Sequence, residues 1–156
     1  MIVGAAGSFG SMEYKGSLIF SIRKAMGGFI SSALPAADAS SAGDLFGVRS
    51  FHSAARWQLH LNSIKETNHL MVIDFTASWC GPCKFMEPAV HAMADKFSDV
   101  AFAKIDVDEL PEVSKEFGVE AMPTFVLVKG GRVIDRVVGA KKDELEKKID
   151  KYRRSS

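Results

Sequence analysis

Trp79-Cys80-Gly81-Pro82-Cys83-Lys84 contains the only two cysteines of the chain, separated by two residues. Before it, Leu70-Met71-Val72-Ile73-Asp74-Phe75 is apolar and β-branched enough for a buried strand. After it, Lys84 to Phe97 sets Phe85, Val90, Met93 and Phe97 at helical offsets. The junction therefore reads as strand, tight turn, helix. A cysteine pair in a Gly-Pro turn that opens a helix can close into a short disulfide without distorting either element. At a helix N-terminus, unpaired backbone N–H groups and the helix dipole favour a thiolate, so Cys80 is the expected nucleophile. Cys83, one turn further in, is expected to lie deeper and to resolve rather than attack.

Composition narrows the alternatives. The chain has 156 residues, 47% hydrophobic and 25% charged, which is material for one good core. A formal net charge of +1, with no basic stripe interleaved with aromatics, gives no case for nucleic acid. No apolar run reaches the length of a membrane span. A single close cysteine pair cannot frame a domain of this size, so it points to redox chemistry or a metal. Zinc needs four ligands, and there is no second Cys-x-x-Cys, while His52, His60, His69 and His91 lack ligand spacing. No metal is expected, and the histidines read as solvated or half-buried surface groups.

Residues 1–47 differ from the rest. They carry eight of the thirteen glycines, with abundant Ser and Ala, few charges and no sustained periodicity. This reads as a disordered or processed extension, outside the fold. A secretory signal fits a reduced dithiol poorly, and a mitochondrial transit peptide would suit the low acid content but not the scarcity of arginine. Met26-Gly27-Gly28-Phe29-Ile30-Ser31 matches the myristoylation pattern: either a chance match in a Gly/Ser-rich tail, or a lipidation site at Gly27 that requires translation to start at Met26. One acyl chain alone would hold a membrane only weakly.

The folded domain spans 48–156. Val48-Arg49-Ser50-Phe51 reads as a short strand, and Ser53 as the N-cap of a helix with Ala54, Trp57, Leu61 and Ile64 on one face. The strand from Leu70, the cysteine turn and the long helix follow, with Pro88 expected to kink that helix. Val100 to Asp106 alternates as a strand, and Asp108 is expected to cap a short helix containing Pro111, Val113 and Phe117, closed by Gly118. Pro123 to Val128 is a strand, Gly130-Gly131 a hairpin turn, and Arg132 to Val138 a charged edge strand. Lys141 to Arg153 closes the chain as a helix with Leu145, Ile149 and Tyr152 on one side. The order β-α-β-α-β-α-β-β-α predicts an α/β fold with a parallel portion, an antiparallel edge and helices on both faces.

With these elements placed, the chain resembles the thioredoxin family, and its plant h-type branch most. Three separated motifs carry the resemblance: Asp74-Phe75-Thr76-Ala77-Ser78-Trp79-Cys80-Gly81-Pro82-Cys83, Met122-Pro123-Thr124, and Val138-Gly139-Ala140. It covers about Val48 to Arg153 and implies the thioredoxin fold, a central mixed five-stranded sheet flanked by four helices. It implies a protein-disulfide reductase that works by dithiol–disulfide exchange through Cys80 and Cys83. No cofactor is needed beyond that redox-active disulfide. A Gly-Pro spacer adds no positive charge, which favours a reducing pair.

The resemblance also assigns supporting residues. Asp74, a carboxyl in an apolar strand, should have a raised proton affinity that suits it to proton transfer with Cys83. Lys104 is its expected neighbour, and Pro123 an expected cis proline packed on the disulfide. Trp79, Gly81 and Pro82, with Val107, Met122, Val138, Gly139 and Ala140, would form a flat apolar docking face. Expected partners are a thioredoxin reductase and disulfide-containing target proteins, with the chain a cytoplasmic monomer. Two other classes compete with this reading. One is a non-enzymatic binding module, which would need neither cysteine nor Asp74. The other is a dimeric iron–sulfur carrier, which the Gly-Pro spacer disfavours.

Overall fold

In the computed structural model, which describes residues 47–155, five strands form one sheet in the order β1-β3-β2-β4-β5. The strands are β1 (Val48–Phe51), β2 (Leu70–Thr76), β3 (Ala101–Asp106), β4 (Thr124–Lys129) and β5 (Arg132–Val138). The helices are α1 (Ala54–Lys65), α2 (Gly81–Lys96), α3 (Pro111–Glu116) and α4 (Lys142–Arg153). β3 pairs in parallel with β1 and β2, whereas β4 runs antiparallel to β2 and β5. The expected element order and mixed sheet are therefore present. The reading of the N-terminal extension up to Phe46, Gly27 included, lies outside the described residues.

β2 is central because every one of its seven residues is buried. Side chains alternate between the two faces of a strand, so Leu70 and Val72 enter one core while Met71, Ile73 and Phe75 enter the other. The first core packs Met86, Val90 and Met93 of α2 and Leu145 and Ile149 of α4 against the sheet. The second packs Trp57 and Leu61 of α1 and Val113 of α3, together with Phe117. Each fully buried Leu or Ile stabilises the fold by about 1.5–3 kcal/mol relative to an exposed one. The same alternation carries Asp74 onto the α2 side of β2, and Lys104 onto the α2 side of β3.

Two local readings are corrected. Phe85 is 76% exposed, and the inward stripe of α2 runs Met86, Val90, Met93, Phe97 instead. Those offsets of 4, 7 and 11 hold one face at 3.6 residues per turn, and Phe85 stands about 100° round from it. Asp108 does not cap α3, whose N-cap is Leu110 with Pro111 in the first helical position. Ser53 is the N-cap of α1, as expected, with extended backbone, although its side chain makes no capping hydrogen bond. The hairpin is as expected: Gly130 and Gly131 have φ of 55° and 73°, the pair of left-handed residues that a two-residue turn requires.

Candidate functional site

β2 ends at Thr76, and the chain turns through Ala77 to Trp79 before α2 begins at Gly81. Cys80 is the N-cap of α2, and its Sγ accepts a hydrogen bond from the Cys83 backbone N–H at 3.2 Å. The helix thus aims an otherwise unpaired N–H at the sulfur that the sequence marks as nucleophile. Cys80 and Cys83 are joined as a disulfide, with Cα atoms 5.3 Å apart. Both are enclosed, Cys80 at 4% and Cys83 at 6% exposure, so Cys83 is not the deeper of the two in the oxidised protein. The bond turns Cys80 Sγ toward its partner, and Ala77, Val107 and Met122 pack around the pair.

The rim assembles from four loops. Trp79 is 66% exposed, and its indole N–H donates to Asp108 Oδ2 at 2.9 Å. Asp108 is itself held by its backbone N–H donating to Asp106 Oδ1 at 2.8 Å. The Met122–Pro123 peptide is cis, as the resemblance implied, and Pro123 is buried while Met122 is half-buried. The Gly139 N–H donates to the Pro123 carbonyl at 2.8 Å, tying the loop after β5 to the proline; Gly139 has φ of 93°. Gly81, Pro82, Val138 and Ala140 are exposed, and Val107 and Gly139 half-buried. These expected docking residues therefore come together round the disulfide.

Asp74, which lines a cleft together with Cys83, is 8% exposed, with Oδ1 buried and without a hydrogen-bond partner. Burial pushes its carboxyl up to about 7, with the positive charge of Lys104 opposing this and the negative charge of Glu87 adding to it. Asp74 and Lys104 are register partners across β2 and β3. The Lys104 ammonium nevertheless donates to Glu87 Oε1, one helical turn beyond Cys83 on α2. That bond holds the Glu87 carboxyl below its usual range. Asp74, Cys83, Glu87 and Lys104 line one cleft of about 270 Å³ that opens to solvent.

Sequence reading missed two of these residues. Glu87 carried a signal, since it stands four residues after Cys83 and so shares its helix face. Asp108 carried none, because a carboxylate before a helix reads first as a cap. Lys84 is exposed and adds positive charge near Glu87. No group of metal-ligating side chains occurs among the described residues.

Residues 51–151 match the family model described as Thioredoxin. The chain is 62% identical to thioredoxin H2 of Arabidopsis thaliana, a match covering 82% of this chain and 99% of that protein. It is 53% identical to thioredoxin H2-1 of Oryza sativa subsp. japonica, over 84% of this chain and 95% of the relative. Among solved structures it resembles a thioredoxin from Nicotiana alata. There the TM-score is 0.68 and the identity 64%, over 69% of this chain and 93% of that one.

Proposed function

Because the chain belongs to the thioredoxin family, and is a thiol–disulfide oxidoreductase that uses a redox-active disulfide and no cofactor, we propose how its own residues divide the reaction. In the reduced protein, the Cys80 thiolate attacks one sulfur of a target disulfide. That S–S bond breaks, a mixed disulfide forms, and the first target thiolate leaves. Asp74 takes the proton from Cys83, whose thiolate then attacks Cys80 Sγ. The second target thiolate leaves and is protonated, so the target has gained two electrons and Cys80–Cys83 is oxidised. A thioredoxin reductase returns two electrons to the pair.

The observation that carries this reading is the cysteine pair at the start of α2 sharing one cleft with a buried carboxyl. A Cys80 Sγ bonded to a helix N-terminal N–H, a Cys83 disulfide-bonded to it, and a buried carboxyl in the cleft that Cys83 lines supply nucleophile, resolver and base. Extended target segments would dock against Trp79, Met122 and Val138, with Gly81, Pro82, Val107, Gly139 and Ala140 completing a low apolar rim. Reduction of a protein disulfide, driven by NADPH and thioredoxin reductase, tests the assignment. Cys80→Ser should abolish turnover; a variant that retains it would overturn the reading.

The proposed setting is the cytoplasm, with the chain acting as a monomer in electron transport to target proteins. Similarity to the Arabidopsis relative covers 82% of this chain, more than residues 47–155 supply, and so runs into the segment before Gly47. Translation from Met26 would make Gly27 an acylation site and give weak membrane association. The intact mass of the natural protein tests it. A mass lacking the acyl group, or a cleavage site of the kind a mitochondrial precursor has, would overturn it.

A further inference from the structure

Lys104 stands directly opposite Asp74 in the β2–β3 register and on the same face of the sheet. Adjacent strands lie about 4.8 Å apart, so a lysine there has the reach to pair with the carboxylate. It does not do so. Its ammonium donates to Glu87, and this pair sits nearer solvent than Asp74: the two side chains are 32% and 46% exposed, against 8% for Asp74. Asp74 Oδ1 is left without a partner. We propose that Glu87 is a positioning residue: by holding the Lys104 ammonium at the outer part of the cleft, it sets how readily Asp74 takes up and releases a proton.

The geometry gives the device its logic. Cys83 and Glu87 are one turn apart on α2, so the helix that carries the resolving thiol also carries the group that restrains the lysine. Paired directly with Lys104, Asp74 would stay ionised and would be a weak base. With Lys104 held by Glu87, the carboxyl meets only part of that positive charge. The other charged groups facing the cleft are Lys84 on α2, Asp106 at the end of β3, Glu109 beyond it and His52 after β1; Phe125, its β4 neighbour, is uncharged. His52 and Glu109 are paired with each other at 2.5 Å, and Lys104, opposite Asp74 in the register, is the cation best placed to move onto it.

The test is a carbon-13 carboxyl titration of Asp74 by NMR in the oxidised full-length chain, for wild type, Glu87→Gln, Lys104→Met and the double variant. Glu87→Gln frees the ammonium to turn inward and should lower the Asp74 midpoint by about 1 pH unit or more. Lys104→Met should raise it. The double variant should follow Lys104→Met, because Glu87 acts through the lysine. An unmoved or raised midpoint in Glu87→Gln overturns the proposal. So does a double variant whose midpoint lies below that of Lys104→Met by as much as Glu87→Gln lies below wild type, since Glu87 would then act by its own charge alone. The inference rests on Asp74 being the base for Cys83, and the two ideas fail separately. The titration reads Glu87 whether or not Asp74 transfers a proton. The acid limb of turnover should move down with the midpoint in Glu87→Gln; a moved midpoint with a fixed limb upholds Glu87 and removes Asp74 from the chemistry.

Discussion

The Trp79 indole N–H donates to Asp108 Oδ2 at 2.9 Å, so an exposed aromatic beside the disulfide is anchored by the loop after the neighbouring strand β3. Asp106 in turn fixes Asp108 through the backbone, which makes the end of β3 the base on which the rim tryptophan rests. Such an anchor lowers the conformational entropy that a docking partner must otherwise remove. Asp108→Ala is expected to raise KM for a protein disulfide several-fold with little change in kcat. Stability should change by no more than about 1 kcal/mol, because the bond is exposed. Steady-state kinetics and urea unfolding check both parts; a fall confined to kcat would contradict the docking role.

Asp74 makes stability depend on pH. Its folded-state value of about 7 lies above the ordinary carboxylate value of 3.8, so the folded chain holds a proton that the unfolded chain has lost between those limits. The contribution is present in full below the unfolded value and disappears as pH rises through the folded one. Wild-type stability is therefore expected to fall from about pH 4 toward pH 8. The amount is on the order of 4 kcal/mol from this group. Asp74→Asn cannot ionise and should flatten that slope, gaining on the wild type most at pH 8. Urea unfolding of the oxidised proteins at pH 5 and pH 8 measures it; parallel profiles would contradict the burial argument.

The hairpin glycines separate two causes of glycine preference. Both have positive φ, but a Cβ on Gly130 would meet open space, whereas one on Gly131 would lie 2.5 Å from Lys65 Cγ. Gly130→Ala should cost about 1 kcal/mol, the backbone penalty alone. Gly131→Ala should cost more, because the Lys65 side chain must also move. Equal losses in thermal unfolding would show that Lys65 yields freely.

Much of this site was legible in the chain. The apolar run of β2, the Cys-Gly-Pro-Cys turn and the glycine pair after β4 each carry a local signal that a tertiary context need only preserve. Asp74 alone reads equally as a strand end near water; Cys80 six residues on and the family resemblance are what marked it as functional. What the chain hid was pairwise. That Lys104 bonds to Glu87 rather than to Asp74, and that Asp108 reaches Trp79, depends on which strand neighbours which. Neither is a matter of spacing. Phe85 was misplaced for a simpler reason: two candidate stripes begin one residue apart on α2, and Met86 fits the inward one.

The division of labour between the two sulfurs is tested most directly by trapping. A Cys83→Ser variant, reduced and mixed with a disulfide-bonded protein target, is expected to accumulate a covalent complex joined through Cys80. That complex should persist because nothing can resolve it, and dithiothreitol should release it. Mass spectrometry of the trapped peptide identifies the bond. A complex formed instead by Cys80→Ser through Cys83, or no complex from Cys83→Ser, would contradict the assignment of Cys80 as the attacking thiolate.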